Sequence, residues 1–231
     1  MMIKIPSSVK KAALFCMVLL CIQYAAIGKP AHKFIIGVAG GPGLVTLRGS
    51  AILRQLKSNQ GWQAGATMQY AFGKHWSVRT GLSYERKGAK EPDVIVILDS
   101  MGTSSGQVTP RLRYDYLSLP LQLQYSIGKK VRYYAGAGVY GAYLVSRTDI
   151  IKGANIKPMV MFDSRANDYN FDCGLSFSAG IMLPVYKRFL ASLELRDNIG
   201  MFNTVKIPTI VGVDNAKTRA AAIVFGVQYK L

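Results

Sequence analysis

Residues 62–84, WQAGATMQYAFGKHWSVRTGLSY, predict the fold of the whole chain. On both sides of the turn sequence Gly73-Lys74-His75, apolar residues alternate with small or polar ones, which is the pattern of a β-hairpin with two unlike faces. At roughly 3.3 Å per residue and a tilt of about 40°, the aromatic ends of each strand lie on the order of 20 Å apart, close to the apolar band of a transmembrane β-barrel. These ends are Trp62 and Tyr70 on the first strand, and Trp76 and Tyr84 on the second.

The same alternation recurs along the rest of the chain, so the sequence predicts a single all-β domain, residues 29–231. Short turns and long connections follow one another in strict alternation. This arrangement is typical of an eight-stranded antiparallel up-and-down transmembrane β-barrel with short periplasmic turns and long extracellular loops. The predicted strands are residues 33–47, 62–72, 76–85, 116–125, 131–146, 170–183, 189–196 and 223–231, and the long connections are 48–60, 86–113, 147–168 and 202–218.

Two places are expected to disturb the hydrogen-bond ladder of this barrel. The run Gly40-Gly41-Pro42-Gly43 in the first strand predicts a β-bulge. Pro120 lies in the middle of the fourth strand and lacks the N–H group that a closed barrel requires at every position. A local bulge or a missing hydrogen bond is therefore expected at Pro120.

Residues 1–28 are predicted to be a cleaved signal peptide. Lys4, Lys10 and Lys11 form a basic start, and the apolar segment 12–22 is too short to cross a membrane as a helix. The small residues Ala26 and Gly28 in Ala26-Ile27-Gly28 favour cleavage before Lys29, which implies export to the cell envelope. A lipoprotein anchor at Cys21 is disfavoured, because Leu20 stands where a small residue is required. After cleavage only Cys173 remains, which excludes a disulfide or zinc framework.

The apolar face is predicted to contact lipid. A soluble lipocalin-like barrel shows the same alternation, but its polar face meets water and is dense in Lys and Glu. Here the polar face consists mainly of Gly, Ser, Thr and Gln, which suits the narrow lumen of eight strands. Aromatic girdles are expected at both membrane interfaces, with Tyr70, Trp76, Tyr125, Tyr133 and Tyr229 on the periplasmic side and Trp62, Tyr84 and Tyr143 on the outer side.

Six charged residues fall on the polar parity and are expected inside the lumen. Two interpretations are open: they form a ligand site, or they pair with one another and plug the barrel. Pairing is favoured, because an isolated charge in a narrow interior is costly. The six residues are Arg79, Glu85, Arg132, Asp172, Glu194 and Arg196.

Charge and histidine content limit the function classes. The formal charge of +17 falls to +14 when the three lysines of the signal peptide are removed, and an exported protein of this charge is expected to meet anionic lipid, including lipopolysaccharide phosphates, rather than nucleic acid. An outer-membrane hydrolase needs a His near a Ser and an acid at the outer leaflet. His32 and His75 both fall at the periplasmic rim. We therefore expect no enzymatic activity, no cofactor and no metal.

Four segments, in this order, resemble the PorT-type outer-membrane β-barrel family: YERKGAK at 84–90, YLSLP at 116–120, FDCG at 171–174 and RDNIG at 196–200. The similarity covers essentially all of the mature chain. It implies an eight-stranded barrel in the outer membrane of Gram-negative bacteria, inserted by the barrel-assembly machinery. The type that gives the family its name is linked to a protein secretion and gliding apparatus. Leu231 departs from the pattern, because an aromatic last residue is commoner.

Two functions remain open after these exclusions. The first is a structural or interaction barrel, as a component of a secretion or envelope complex with a protein partner that the sequence does not identify. The alternative is a small porin-like transport channel. A secreted soluble ligand-binding barrel ranks third.

Overall fold

The computed structural model describes residues 33–50, 53, 57–90, 94–97, 104–153, 159–161, 168–206 and 215–231, and within them the chain forms ten β-strands. The predicted signal peptide, residues 1–28, lies outside the described residues, as does His32. The described part of the chain contains no helix long and apolar enough to cross a membrane. The strands are β1 Phe34–Gly49, β2 Lys57–Ala71, β3 Trp76–Lys90, β4 Val94–Ile97, β5 Ser104–Ile127, β6 Arg132–Gly153, β7 Met159–Met161, β8 Phe171–Tyr186, β9 Phe189–Gly200 and β10 Ala216–Lys230.

Eight of these strands close into a ring of antiparallel neighbours in the order β1-β2-β3-β5-β6-β8-β9-β10, and β10 pairs back onto β1. The two other strands lengthen the wall at one end, because β4 pairs with the start of β5 and β7 with the end of β6. We call this end the loop end, and we call the opposite end, which holds the short turns at 72–75, 128–131 and 187–188, the turn end. The predicted eight-stranded antiparallel barrel is confirmed.

The strand pairs fix the tilt of the barrel. A path that steps from each residue to its partner on the next strand leaves β1 at Phe34 and returns to it at Leu44, ten residues further along. In eight strands, a shift of this size corresponds to a tilt of about 40° from the barrel axis. The shift also decides which inward side chains lie at the same height.

The two faces of the barrel wall differ as the alternation predicts. On β5, the Leu119 side chain is 52% exposed on the outward face, whereas the neighbouring Ser118 is 1% exposed on the inward face. Exposed large apolar residues cover the outward faces of the barrel strands, while Gln, Ser and charged residues are buried inside. An apolar exterior around a polar interior is the pattern of a membrane barrel and the reverse of a soluble one.

Aromatic side chains lie in two belts on the outward face. Toward the turn end, the Trp76 and Tyr125 rings pack with 4.9 Å between their centroids. Toward the loop end, the Trp62 ring stacks on Tyr84 at 5.3 Å. Of the other residues named from the sequence, Tyr70, Tyr133 and Tyr229 lie in the first belt and Tyr143 lies in the second.

The hydrogen-bond ladder differs in part from expectation. The prediction of a bulge at Gly40–Gly43 is wrong, because the pairing of β1 with β2 and with β10 does not shift in register along the strand. Glycine allows close approach there instead, since a Cβ on Gly41 would overlap the carbonyl oxygen of Ile223. Opposite Pro120, the β3–β5 ladder is interrupted beyond Thr80, as the missing N–H of proline predicts. The Thr80 hydroxyl donates a hydrogen bond to the Pro120 carbonyl at 2.9 Å.

Candidate functional site

The lower charge group, Arg79, Glu194 and Arg196, spans the lumen nearer the turn end. Arg79 on β3 donates to Glu194 Oε2 on β9, the strand diametrically opposite in the ring. Arg196 Nε donates to Glu194 Oε1 at 2.8 Å, and Tyr134 on β6 donates to Oε2 at 2.7 Å. All four side chains are buried. One carboxylate therefore accepts hydrogen bonds from three strands and ties opposite walls of the barrel together.

Glycine makes room for the tyrosine of this group. A Cβ on Gly180 would lie 2.7 Å from Tyr134 Oη, closer than such contacts occur. Gly180 is the register partner of Tyr134 on β6 and of Glu194 on β9. The small residue on β8 thus lets the Tyr134 ring pass over that strand to reach Glu194.

The upper charge group, Glu85, Lys87 and Asp172, lies nearer the loop end. Lys87 Nζ lies 3.0 Å from Asp172 Oδ2 and 3.6 Å from Glu85 Oε2, and all three side chains are buried. Thr218 and Tyr140 donate to the same Asp172 oxygen at 2.6 and 3.0 Å. Lys87 Nζ also lies 4.4 Å from the centre of the Tyr140 ring, a cation–π distance.

Uncharged polar side chains extend from the upper group toward the lower one. Gln122 Nε2 donates to Ser176 Oγ at 2.9 Å, Ser176 donates to Asn198 Oδ1 at 2.6 Å, and Asn198 Nδ2 donates to Glu85 Oε1 at 3.0 Å. The lower group has two cations and one anion, and the upper group has one cation and two anions, so their formal charges cancel. Cancellation lowers the cost of keeping six charges inside a narrow barrel.

The loop end of the lumen is closed by packed side chains. Leu47, Leu112 and Leu144 belong to a buried apolar cluster above the upper charge group. Beside this cluster, Arg147 Nη1 donates to Asp168 Oδ2 at 2.8 Å, and its guanidinium lies 5.4 Å from the Tyr114 ring. Burial raises the pKa of the Tyr114 phenol above its ordinary value, so this side chain stays uncharged well into the alkaline range.

The lumen leaves little free space between these layers. A cavity of about 10 Å³, lined by Arg79, Gln122 and Arg196 among others, has room for about one water molecule. His75 lies in the β2–β3 turn with Nδ1 2.9 Å from the Ser126 carbonyl oxygen, at the turn end. Within the described ranges, no group of three or more His, Cys, Asp or Glu side chains is placed to hold a metal ion.

Five of the six charges expected in the lumen lie in the two charge groups, and Arg132 does not. It lies at the turn end, where Nη2 donates to Ser126 Oγ at 2.9 Å. The sequence prediction missed Lys87, which joins both acids of the upper group. Lys87 has the same strand parity as Arg79 and Glu85, but the predicted strand ended at residue 85, whereas β3 continues to Lys90. Thr218, Asn198 and the Arg147–Asp168 pair were missed with it. Tyr134 and Tyr140 were expected inside the lumen as bulk between the charges, but their hydrogen bonds to Glu194 and Asp172 were not predicted.

A second set of charges lies on the outward face near the loop end. Arg86 lies 5.2 Å from the centre of the Trp62 ring and donates to Asp115 Oδ1 at 2.7 Å. Arg113 donates to the other oxygen of Asp115 at 3.1 Å. A bidentate pair between Arg219 and Asp197 lies on the outward face of β10 and β9, with distances of 2.8 and 3.2 Å. The aromatic belt is thus bordered by arginines on its outer side.

A family model matches most of the chain, and several solved structures are similar to it. The family model described as "Outer membrane protein beta-barrel domain" matches residues 23–206. Similar solved structures include Neisserial surface protein A, at 14% identity over 88% of this chain and 100% of that chain with a TM-score of 0.47. OprG from Pseudomonas aeruginosa is 19% identical over 88% and 99%, with a TM-score of 0.46. Ail of Yersinia pestis, in complex with the heparin analogue sucrose octasulfate, is 12% identical over 85% and 99%, with a TM-score of 0.41. No curated protein matches the chain.

Proposed function

Because the chain belongs to the outer membrane protein beta-barrel domain family, and is a β-barrel protein of the outer membrane, we propose that it has a structural or interaction role there. The observation that carries this proposal is the filled lumen. Within each of the two groups the charges pair with one another, and the cavity beside Arg79 and Arg196 has room for about one water. A lumen filled in this way at its middle leaves no continuous water path between the two ends of the barrel. A porin-like channel is the alternative, and it requires this network to open.

Within the family, we assign the chain to the PorT type and propose that it is a component of a secretion or envelope complex. Support comes from the four resembling segments, of which residues 84–90 supply Glu85 and Lys87, residues 171–174 supply Asp172, and residues 196–200 supply Arg196. Four charges of the lumen network thus belong to the resembling segments. We do not propose a catalytic role, because His75 lies at the turn end, where its ring contacts the backbone carbonyl of Ser126.

Membrane fractionation followed by a crosslinked pull-down from the outer-membrane fraction tests the interaction role. We expect the barrel in the outer-membrane fraction, with one protein crosslinked in constant proportion to it across preparations. Purified barrel that crosslinks only to itself and to abundant membrane proteins, in proportions that follow their abundance, would contradict an interaction role.

We also propose that the arginines beside the outer aromatic belt bind lipopolysaccharide phosphates. Arg86 and Arg113 share the single carboxylate of Asp115, so this cluster keeps a net positive charge at the membrane surface. Trp62, which lies against Arg86, is suited to the same interfacial depth. Electrostatic attachment of this kind weakens as salt screens the charges.

Purified barrel titrated with lipopolysaccharide in a zwitterionic detergent tests this attachment. The variant Arg86→Gln/Arg113→Gln should bind more weakly than the unmodified protein, and added salt should reduce the difference. Lys129→Gln/Lys130→Gln removes the same charge at the turn end and serves as the matched control. Equal affinity of all three proteins at every salt concentration would refute the arginine site.

A further inference from the structure

The turn end is cationic and has no acidic side chain in its sequence. All twelve Asp and Glu residues of the chain lie outside residues 33–39, 72–79, 125–134, 181–193 and 226–231, which make up the turn end. The nearest acid in sequence, Glu194, is already bound by Arg79 and Arg196. The Lys and Arg residues in or beside the short turns and at the ends of the mature barrel are Lys33, Lys74, Lys129, Lys130, Arg132, Lys187, Arg188 and Lys230.

A recessed pocket opens at this end of the lumen. Its volume is about 180 Å³, and Lys74, Arg132 and Lys230 line it together with Gln69 and Ser126. Arg132 is held toward the pocket by the hydrogen bond from Nη2 to Ser126 Oγ. The pocket therefore combines three cations with a fixed polar wall, and its volume accommodates a carboxylate with several adjoining atoms.

The polar wall carries an acceptor as well as donors. Gln69 is 8% exposed, and its amide nitrogen donates to Ser77 Oγ at 2.8 Å. Its Oε1 atom has no hydrogen-bond partner among the residues that the structure describes. A ligand that satisfies the whole pocket thus needs an anionic group for the cations and an N–H or O–H donor for Gln69. An acidic peptide carries both, in its side-chain carboxylates and its backbone N–H groups, whereas a phosphodiester offers acceptors alone.

The β8–β9 hairpin adds a surface suited to protein contact. At its tip, Val185 is 69% exposed and Tyr186 is 60% exposed, and Lys187 Nζ lies 5.1 Å from the centre of the Tyr186 ring. The tip lies beyond the Phe189–Tyr229 pair of the aromatic belt, at the end of the hairpin. Exposed aromatic and apolar groups of this kind are typical of protein–protein interfaces.

We propose that the turn end docks an acidic segment of a periplasmic protein, with one carboxylate of that segment seated among Lys74, Arg132 and Lys230. The inference rests on the proposed interaction role and names the chemistry of the partner. Gln69 accepts a hydrogen bond from the backbone of the segment, and the hairpin tip contacts its flanking residues. Long-range attraction between the cationic end and an acidic segment speeds their encounter.

Fluorescence anisotropy of a labelled peptide of alternating Glu and Gly, with the full-length mature barrel in zwitterionic micelles, tests the docking surface. We expect saturable binding that weakens with salt, and a loss of about tenfold in affinity for Lys74→Gln/Arg132→Gln. Lys129→Gln/Lys130→Gln removes the same charge outside the pocket and should lose clearly less. Each variant is first shown to fold by its heat-modifiable migration on a gel.

Gln69→Leu separates a peptide from a phosphate ligand. It should weaken binding of the peptide and leave binding of inorganic tripolyphosphate unchanged. Equal losses in the two charge variants would overturn the pocket, and so would a Gln69→Leu barrel with unchanged peptide affinity. Tighter binding to phosphatidylglycerol vesicles than to the peptide would show that the ligand of this pocket is inner-leaflet lipid rather than a protein, and would overturn the proposal. A partner in the crosslinked pull-down that survives Lys74→Gln/Arg132→Gln would overturn this inference and leave the interaction role standing.

Discussion

Lys87 on β3 and Asp172 on β8 form a salt bridge across the lumen, with 3.0 Å between Nζ and Oδ2. Both side chains are almost fully buried, and Glu85 lies within 3.6 Å of the same ammonium group. One lysine therefore compensates two carboxylates that water does not reach. The stability of the loop-end half of the barrel is expected to depend on this residue more than on the acids individually.

Replacing Lys87 by Met should destabilise the barrel by about 3–5 kcal/mol, because it leaves the buried carboxylates of Glu85 and Asp172 uncompensated. Urea unfolding in detergent, followed by tryptophan fluorescence, measures the loss. Lys87→Met/Asp172→Asn should recover part of it, since one of the two uncompensated charges is gone. Lys129→Met, at an exposed position of the turn end, is the control. A Lys87→Met barrel as stable as this control would refute the network.

Replacing Leu121 by Arg should cost about 2–4 kcal/mol of stability in a bilayer, because a charge then faces lipid near mid-membrane. Leu121 is exposed on the outward face of β5, midway between the aromatic belts. Leu121→Phe keeps this position apolar and should change the unfolding free energy much less. If a folding titration shows the same loss of unfolding free energy for the two variants, this face does not contact lipid and the prediction is wrong.

The number of strands and the two faces of the barrel wall can be predicted from local sequence patterns. Which side chains pair with one another inside the lumen cannot be predicted in this way. Alternation along β5 identifies Leu121 as outward and Gln122 as inward without any knowledge of neighbouring strands. Whether Arg79 meets Glu194 depends on their heights, which the ten-residue shift around the ring sets. Lys87 was missed for a related reason, because β3 extends past the outer aromatic belt into a segment with no apolar alternation.

Replacing Gly180 by Val should destabilise the fold by about 1–3 kcal/mol, because the added Cβ would lie 2.5 Å from the Leu193 carbonyl oxygen and the rest of the side chain would enter the space of the Tyr134 ring. Ala179→Val adds the same kind of bulk at the neighbouring outward position, where it meets lipid, and should be nearly neutral. Gly180→Val/Tyr134→Ala should be less destabilised than the sum of its single changes. Strict additivity in unfolding titrations would mean that Gly180 and Tyr134 do not share this space.

The orientation of the barrel predicts which lysines an impermeant amine reagent reaches on intact cells. Lys206 is exposed at the loop end and should be labelled from outside. Lys74, Lys129 and Lys187 are exposed at the turn end and should react only after the outer membrane is permeabilised. Peptide mapping by mass spectrometry distinguishes the sites, and the reverse labelling pattern would invert the topology.

Single-channel recording of the purified barrel in a planar bilayer tests the filled lumen most directly. The ion pair between Arg79 and Glu194 crosses the lumen between opposite strands, and the space beside it holds about one water molecule. We predict no stable conductance from the unmodified protein, and we predict that Arg79→Ala or Glu194→Ala lowers the unfolding free energy rather than creating a selective pore. Steady, ion-selective current steps from the unmodified barrel would contradict the structural role and establish a channel in its place.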